Sequence, residues 1–275
     1  MPYTREVLDD LLKNAAIERS DAEILLAYVL QKDRAWLLAH SVTSLSPTQE
    51  KEFQNFVARR KKHEPIAYIL GEKEFYGRKF FVDRRVLIPR PSTEVLIDEV
   101  KRFWRAPQHD LSITPADSGI VIFSRIKKNQ HDTVSFSIID VGTGSGCIGI
   151  TLALEIPDAK ILCTDISEDA LDVAKENAKR FDVLDRISFQ KANFIPANEQ
   201  TRKPENFLVV SNPPYIPTST PLPADVLHFE PYEALFAGED GMDVLEPLYE
   251  ECMRDSRCVG CVFECREEQA KKLMK

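Results

Sequence analysis

Two short segments of this 275-residue chain carry residue types suited to chemistry, and the first is a cluster of glycines. Four of the ten glycines lie within eight residues, in the run Asp140-Val141-Gly142-Thr143-Gly144-Ser145-Gly146 and at Gly149. The run follows a predicted strand at 138–141 and opens a predicted helix, where glycine lets the backbone approach a ligand closely. The N–H groups at a helix N-terminus add a positive partial charge. Asp165 ends the next predicted strand, where its carboxylate can accept hydrogen bonds from both hydroxyls of a ribose.

Two nucleotide cofactors are compatible with this glycine turn. The spacing Gly144-x-Gly146-x-x-Gly149, with an acid about 20 residues further on, satisfies the dinucleotide fingerprint. Alternatively, the three glycines preceded by Asp140 resemble the motif of S-adenosylmethionine-dependent methyltransferases. Glycines with a purely structural role would also produce such a turn, so the second segment has to discriminate between the cofactors.

The second segment is Asn212-Pro213-Pro214-Tyr215, directly after a predicted strand at 207–211. Ligands bind beyond the carboxyl ends of the strands in a parallel sheet, so we expect this segment beside the glycine turn. A planar NH2 group is a poor nucleophile, and holding both of its hydrogens would align the nitrogen with a methyl donor. The Asn212 oxygen and the Pro213 carbonyl suit that task, and Tyr215 can stack on the planar group. The alternative is a proline-rich turn capped by Asn212.

Charge and composition exclude several classes of protein. The formal net charge is −8, and residues 101–275 carry all of it because residues 1–100 are neutral. A surface for a phosphate backbone should be basic, which argues against a dedicated nucleic-acid-binding protein. No apolar run approaches the roughly 18–20 residues of a membrane span, and the first residues lack a secretion signal. We therefore expect a cytoplasmic protein, monomeric by default, whose six cysteines are reduced thiols.

Four cysteines near the end of the chain raise the question of a zinc site. Cys258 and Cys261 have ligand-like spacing, and Cys252 and Cys265 are close in sequence. However, positions three apart on a strand point to opposite faces, and no second cysteine pair or histidine follows. We therefore expect ordinary thiols and no metal.

The first 65 residues have the pattern of helices. Ser20 with Glu23 predicts a capping box at the start of one helix, and Ser46 followed by Pro47 predicts the start of another. The basic run Arg59-Arg60-Lys61-Lys62 falls in the last turn of that second helix. Two interpretations are open, namely cations placed favourably at a helix C-terminus or a contact surface for an acidic partner.

The rest of the chain predicts an α/β domain. From residue 136 onward strands and helices alternate, which is typical of a parallel sheet with helices on both faces. Residues 105–133 are polar and irregular apart from 120–123, so we expect a flexible insertion with at most a short strand. We expect two domains, a helical one at 1–85 that includes connecting strands, and the α/β domain at 86–275.

Taken together, these motifs resemble those of the HemK/PrmC protein-(glutamine N5) methyltransferases, which modify the glutamine of the Gly-Gly-Gln loop in peptide chain release factors. The resemblance covers nearly the whole chain, and the segment around Pro89 is much more specific than the glycine turn. The matching segments are Glu64-Pro65-Ile66-Ala67-Tyr68-Ile69-Leu70-Gly71, Leu87-Ile88-Pro89-Arg90-Pro91-Ser92-Thr93-Glu94, Ile139-Asp140-Val141-Gly142-Thr143-Gly144-Ser145-Gly146, Asn212-Pro213-Pro214-Tyr215-Ile216-Pro217, and Glu230-Pro231 through Gly238-Glu239-Asp240-Gly241.

The resemblance implies a small helical domain that helps dock the release factor and a Rossmann-like S-adenosylmethionine-dependent methyltransferase domain with a mostly parallel sheet. It implies that a glutamine amide is held by Asn212, Pro213, Pro214 and Tyr215, with Arg90 and Glu94 bordering the site. The cofactor-binding residues it implies are Asp140, Gly142, Thr143, Gly144, Ser145, Gly146, Asp165, Asn193, Phe194 and Asn212.

The chain departs from the family pattern at three places. Asn193 stands where the family usually has Asp, which keeps an oxygen for the adenine amino group but adds no charge, so the cofactor affinity is expected to differ. Arg266 takes the place of a glycine. Family members continue into a further β-hairpin after the fifth strand, so either the chain is shortened or its sheet lacks the two terminal strands.

Three other functions compete with glutamine methylation. An adenine-N6 methyltransferase on DNA or RNA would use the same Asn-Pro-Pro-Tyr chemistry on a flipped base, although the acidic catalytic half counts against it. A nicotinamide-dependent oxidoreductase would use the Gly144–Gly149 fingerprint. A binder of release factors without catalysis is the third. We expect release factors as partners, with no direct nucleic acid and no membrane.

Overall fold

The computed structural model describes residues 14–39, 45–105, 120–124, 136–196 and 206–273. The chain divides into two compact units, Met1–Glu72 with Leu222–Phe229 and Lys73–Pro221 with Glu230–Lys275. The predicted boundary lies after residue 85, whereas residues 73–85 belong to the second unit. The reason is burial, because Phe75 and Phe80 of this segment are fully buried in the main core of the α/β unit.

The first unit is helical. Its core is apolar and includes the fully buried side chains of Leu25, Leu26 and Phe53. Helices are numbered here along the whole chain, and this unit contains α1 (Arg19–Val29), α2 (Arg34–Ala39), α3 (Pro47–Arg60), α4 (Ile66–Leu70) and α8 (Ala224–Phe229).

The two predicted helix starts have different outcomes. Ser46 caps α3 as predicted, since its side chain accepts from the Gln49 N–H and the Gln49 side chain accepts from the Ser46 N–H. The predicted capping box of Ser20 with Glu23 is wrong, because α1 already begins at Arg19. Glu23 instead accepts hydrogen bonds from the Arg19 guanidinium at 3.0 Å and the Arg34 guanidinium at 2.9 Å.

Two residues of the basic run at the end of α3, Arg59 and Arg60, form ion pairs within the helical unit. Arg59 donates two hydrogen bonds to the Glu64 carboxylate, at 2.9 and 2.7 Å. Arg60 donates to Asp21 at 2.6 Å. Lys61 and Lys62 are exposed. The two arginines therefore serve the structure of the helical unit, which favours the first of the two interpretations for them.

The second unit is an α/β layer structure. None of the described helices of the protein combines the length and apolar character needed to cross a membrane. A hairpin precedes the main sheet, and a 3-10 turn at Pro91–Thr93 leads into the first long helix. The elements are β1 (Glu72–Phe75), β2 (Arg78–Phe81), α5 (Glu94–Arg105), β3 (Ile120–Ser124), β4 (Ser137–Val141), α6 (Cys147–Glu155), β5 (Ile161–Asp165), α7 (Glu168–Arg180), β6 (Ile187–Lys191), β7 (Phe207–Ser211), α9 (Leu245–Arg254), β8 (Cys258–Glu264) and α10 (Glu267–Leu273).

The main sheet has the strand order β3-β8-β7-β4-β5-β6. Strands β4 to β8 are mutually parallel, which confirms the predicted mostly parallel sheet. From β4 the chain builds outward through β5 to β6, and it then returns to the other side of β4 to add β7 and β8. The strand order therefore reverses between β4 and β7, and ligands bind at such switch points beyond the carboxyl ends of the strands.

Strand β3 comes from the region predicted as an insertion with at most a short strand. It pairs antiparallel with β8, with Ile120 opposite Glu264 and Ser124 opposite Gly260. The insertion thus supplies an edge strand to a sheet that is otherwise parallel. The remaining residues of the predicted insertion, 106–119 and 125–133, lie outside the described part of the chain.

The six cysteines are buried free thiols. The prediction that Cys258 and Cys261 point to opposite faces is wrong, because β8 contains a bulge. Phe207 lies opposite Cys258, whereas the next residue, Leu208, lies opposite Gly260. One extra residue turns both cysteines onto the same face, where they pack with Cys252. No group of three or more metal-ligating side chains within the described ranges is arranged to hold a metal ion.

One buried amide joins the hairpin to the glycine turn. Asn177 of α7 is fully buried. Its Nδ2 donates to the Phe81 carbonyl at 2.9 Å and to the Ser145 carbonyl at 2.8 Å, and its Oδ1 accepts from the Phe81 N–H at 2.8 Å. Because all three partners are backbone groups, this side chain fixes the distance between β2 and the turn after β4.

We therefore expect Asn177→Ala to lower the free energy of unfolding by about 2–4 kcal/mol, because it removes a buried side chain and leaves three backbone groups, at half-buried Phe81 and buried Ser145, without this partner. Urea denaturation would measure the change. Lys175→Ala on the same helix is the matched control, since Lys175 makes only an exposed ion pair with Asp172 and should change stability by less than about 0.5 kcal/mol. Equal effects of the two substitutions would contradict the assignment.

Candidate functional site

The glycine turn between β4 and α6 is open on one side. Gly142 and Gly144 have φ values of 67° and 54°. A Cβ placed on either residue would meet no atom within 4 Å. The turn is held from behind, because the Thr143 N–H donates to the Thr164 carbonyl of β5 at 2.9 Å. The backbone of the turn therefore faces space that a ligand could fill.

Asp165, at the end of β5, lies beside this opening. Its Oδ2 accepts from the Gly144 N–H and its Oδ1 from the Ser167 N–H, both at 2.9 Å. Burial raises the pKa of Asp165 above its usual value, against backbone hydrogen bonds from Ser167, Gly144 and Ile166 that lower it. Each carboxylate oxygen can still accept a second hydrogen bond. The residue is thus oriented by the turn and suited to bind hydroxyl groups.

Asp140 lies beneath the turn and is fully buried. Its Oδ2 accepts from the Thr143 hydroxyl at 2.6 Å and from the Gly149 N–H at 2.9 Å. Its Oδ1 has no hydrogen-bond partner in the described part of the protein. Burial raises the pKa of Asp140 to about 6. The side chains of Asp140, Thr143 and Ser145 are all buried, so these predicted cofactor residues support the turn from inside and would meet a ligand only through their backbone.

The ends of β5 and β6 meet at the next part of the site. The Ala192 N–H donates to the Asp165 carbonyl at 3.0 Å, and the Thr164 hydroxyl donates to the Phe194 carbonyl at 3.2 Å. Asn193 is exposed, and Phe194 is half-buried. The chain after β6 is therefore held next to Asp165, with Asn193 free to face solvent or a ligand.

Asn212 follows β7 on the other side of the switch point. The Ser211 hydroxyl donates to the Val141 carbonyl at 2.7 Å, which joins the end of β7 to the start of the glycine turn. Asn212 Nδ2 donates to the Thr93 hydroxyl oxygen at 3.0 Å. Pro213 is buried, and Pro214 is half-buried. The expectation that this segment lies beside the glycine turn agrees with these contacts.

Tyr215 is held at both its hydroxyl and its backbone. Its hydroxyl donates to Glu264 Oε1 at 3.2 Å, and its carbonyl accepts from Gln269 Nε2 at 2.9 Å. The Ser92 hydroxyl donates to the same Glu264 oxygen at 3.1 Å. Burial, followed by the nearby charge of Glu264, raises the pKa of Tyr215 to about 12. Tyr215 is therefore a neutral phenol across the physiological pH range.

Arg90 and Glu94 use their charged groups within the protein. The Arg90 guanidinium donates to Glu230 Oε1 at 2.6 Å, and the Ile88 N–H donates to Glu230 Oε2 at 3.0 Å. Glu94 accepts from the Tyr76 N–H at 2.8 Å. These contacts fix the segment that runs past Asn212. Thr93, which lies between Arg90 and Glu94 in the sequence, contacts Asn212 directly.

Sequence reasoning did not single out Thr93, Glu230 or Glu264. Thr93 and Glu230 belong to two of the segments quoted for the family resemblance, so their segments carried a signal although the residues did not. Glu264 had a weaker signal, as the acidic end of the strand that neighbours β7. None of these contacts follows from spacing, because Thr93 and Asn212 are 119 residues apart.

Family models of known proteins match parts of both units. Residues 7–71 match the family model of the PrmC N-terminal domain, and residues 115–221 match that of the methyltransferase small domain. The release factor glutamine methyltransferase of Koribacter versatilis is 37% identical over 84% of this chain and 72% of its own length. That of Chlorobaculum tepidum is 39% identical over 80% of this chain and 68% of its own.

The chain belongs to the release factor glutamine methyltransferase family. This confirms the predicted family and the predicted S-adenosylmethionine-dependent methyltransferase domain with a small N-terminal domain. Some relatives are much longer. The "bifunctional methyltransferase" of Rickettsia felis is 40% identical over 88% of this chain, which corresponds to 46% of that protein. The chain thus spans less than half the length of these longer relatives.

Solved structures give a more distant comparison. The hMettl16 catalytic domain in complex with a MAT2A 3′UTR hairpin matches with a TM-score of 0.46 and 15% identity, over 85% of this chain and 75% of that one.

The raised pKa of Asp140 predicts a specific dependence of stability on pH. The folded-state pKa is about 6 and the ordinary value is 3.8, so the folded protein binds this proton more tightly than the unfolded chain. The stabilisation is therefore complete below about pH 4 and is lost as the pH rises through 6, by on the order of 2–3 kcal/mol.

Asp140→Asn removes this ionisation. The difference in free energy of unfolding, wild type minus variant, should fall by that amount between pH 4 and pH 7, as measured by urea denaturation at each pH. If the difference is the same at both pH values, Asp140 does not carry the proposed buried charge.

Proposed function

We propose that this protein transfers a methyl group from S-adenosylmethionine to the side-chain amide nitrogen, N5, of the glutamine in the Gly-Gly-Gln motif of peptide chain release factors. The observation that carries the proposal is the position of Asn212, which follows β7 at the switch point and is tied to the glycine turn through Ser211 and Val141. The names of the relatives that define the family support this substrate. The substrate implies a cytoplasmic location, where release factors act on ribosomes.

The residues at the glycine turn fit the cofactor. Gly142 and Gly144 leave open space where side chains would otherwise stand. The two oxygens of Asp165 can each accept one ribose hydroxyl in addition to their backbone donors. Asn193 and Phe194 would flank the adenine. When bound, S-adenosylmethionine supplies a methyl group made electrophilic by its sulfonium centre.

Asn212 and Pro213 would hold the substrate amide. Because Asn212 Nδ2 donates to Thr93, the Oδ1 atom is left to accept one N–H of the glutamine. The Pro213 carbonyl would accept the other, and the proline rings restrict its orientation. An amide nitrogen is a poor nucleophile, so the catalytic contribution of these groups is alignment and removal of water rather than activation by a strong base.

Tyr215 would provide a flat surface for the glutamine side chain. Its hydroxyl is bound to Glu264, which limits rotation of the ring. Since its raised pKa keeps it neutral, Tyr215 contributes packing and not proton transfer. No group of the described site other than these fixed hydrogen-bonding atoms is needed for the alignment, and the amide proton can leave to solvent after methyl transfer.

The helical unit would contribute the protein-docking surface. Its match to the PrmC N-terminal domain covers residues 7–71, and its net charge is −2 whereas the α/β unit carries −6. We therefore assign recognition of the release factor to this unit, and no nucleic-acid contact is part of the proposal.

The central test is methylation of purified release factor by wild type and by Asn212→Ala. Because the variant loses an acceptor for the amide hydrogen, we expect kcat to fall by about 10²–10³-fold. Mass spectrometry of the peptide that contains Gly-Gly-Gln would show a mass gain of one methylene unit on the glutamine. Asn206→Ala is the matched control, because Asn206 lies just before β7, at the opposite end of the strand from Asn212.

The same assay separates the competing substrate. Adenine-containing DNA and RNA would be offered in parallel with release factor, because an exocyclic NH2 group on a flipped base could use the same acceptors. Methylation of the nucleic acid without any methylation of release factor would overturn the proposal.

The cofactor assignment is tested by two glycines of similar geometry. Gly144→Ala and Gly77→Ala both introduce a Cβ at positive φ, 54° and 70°, where nothing lies within 4 Å. Each should cost about 1 kcal/mol of stability through backbone strain. Only Gly144→Ala should weaken binding of S-adenosylhomocysteine, by at least about tenfold, in titration calorimetry. Equal affinities of the two variants would remove Gly144 from the cofactor site.

A further inference from the structure

The side chain of Asn212 is held at its NH2 end by a residue that has no role in the proposed chemistry. Its Nδ2 donates to the Oγ1 atom of Thr93 at 3.0 Å, and Thr93 is almost completely buried, with 2% of its surface exposed. We propose that Thr93 is a positioning residue that holds the Asn212 carboxamide with its oxygen towards the substrate. This inference rests on the proposed function, because it concerns the same acceptor atom.

The orientation of an asparagine amide is decided by its hydrogen bonds. The carbonyl oxygen and the NH2 group have nearly the same shape, and rotation of the last side-chain torsion by 180° exchanges them. In one orientation Asn212 presents an acceptor to a substrate N–H, and in the other it presents a donor that would oppose it. Because the Thr93 hydroxyl can donate as well as accept, it does not by itself exclude the second orientation. In this structure it accepts from Nδ2, which holds the carboxamide in the first orientation.

Thr93 is itself held in place by the chain around it. It ends the 3-10 turn at Pro91–Thr93, and its N–H donates to the Arg90 carbonyl at 3.1 Å. Arg90 and the Ile88 N–H bind the two oxygens of the buried Glu230 carboxylate. As a β-branched residue, Thr93 also has few accessible χ1 rotamers. The hydroxyl is thus a fixed reference point for an amide that could otherwise rotate.

The neighbouring residue holds the other end of the same motif. Ser92 donates to the Glu264 oxygen that accepts the Tyr215 hydroxyl. Two adjacent hydroxyls therefore reach both functional side chains of the Asn212–Tyr215 segment, one directly and one through a carboxylate. No described residue donates to Asn212 Oδ1, which leaves that atom available for the substrate.

The experiment compares Thr93→Val, which keeps the shape and removes the hydroxyl, with Thr93→Ser, which keeps the hydroxyl. With release factor as substrate, we expect Thr93→Val to lower kcat about tenfold or more while KM and the affinity for S-adenosylhomocysteine change less than about twofold. Thr93→Ser should retain kcat within about threefold. Thr93→Ala provides a second variant without the hydroxyl should the valine side chain prevent folding.

Thr151→Val is the matched control. Thr151 is also a fully buried threonine of the second unit, but its hydroxyl has no partner among the described residues. Removal of that hydroxyl should leave kcat unchanged. A Thr93→Val enzyme with wild-type kcat, or a loss shared equally by Thr93→Ser, would overturn the inference and leave the proposed function intact.

A second readout does not depend on the substrate. In protein labelled with [15N]asparagine, the side-chain NH2 signals of Asn212 can be assigned by their loss in Asn212→Asp. Loss of the hydrogen bond should shift these signals and speed their exchange with water in Thr93→Val but not in Thr93→Ser. Identical signals in wild type and Thr93→Val would overturn the inference, whereas an unmethylated release factor with shifted signals would overturn only the proposed function.

Discussion

The parallel pairing of β4 with β7 is the constraint on which the site depends. The two strands are separated by about 70 residues in the chain, yet they are neighbours from Ser137 opposite Phe207 to Asp140 opposite Val210. The Ser211 hydroxyl extends the pairing to the carbonyl of Val141. Because both strands point the same way, the glycine turn and Asn212 leave the sheet at the same edge. Every other contact of the site refines this one placement.

The glycine turn and the Asn212–Tyr215 segment are each held by a buried carboxylate of which only one oxygen is hydrogen-bonded among the described residues. Asp140 Oδ2 holds the glycine turn and Glu264 Oε1 holds Ser92 and Tyr215, whereas Asp140 Oδ1 and Glu264 Oε2 have no partner in the described residues. A buried, partly satisfied charge costs stability. In both cases it organises donors that lie next to the ligand space, which is where natural proteins retain such conflicts.

Local signals in the sequence predicted local structure well. Ser46 with Gln49 forms the helix start that the residue types indicate, and the alternation of strands and helices after residue 136 gives the parallel sheet. The failures come from contacts that the local pattern does not contain. The predicted capping box of Ser20 with Glu23 does not form because α1 already begins at Arg19, and Glu23 binds the guanidinium groups of Arg19 and Arg34 instead. Cys258 and Cys261 share a face because a bulge forms against β7. The contact of Thr93 with Asn212 depends on a fold that brings distant segments together, which no spacing rule contains.

Selectivity for the methyl acceptor has to arise outside the Asn212–Tyr215 segment. A glutamine amide and an exocyclic adenine amine both present a planar NH2 group, so two acceptor oxygens and one aromatic ring cannot distinguish them. The two acceptors differ in the charge of the molecule that carries them, and the α/β unit carries −6 of the net charge of −8. Binding a nucleic acid requires the neutralisation of phosphates by basic groups, and an acidic surface opposes it. The motif thus supplies the alignment chemistry, and the proposed preference for a protein over a nucleic acid rests on the charge of the unit around it.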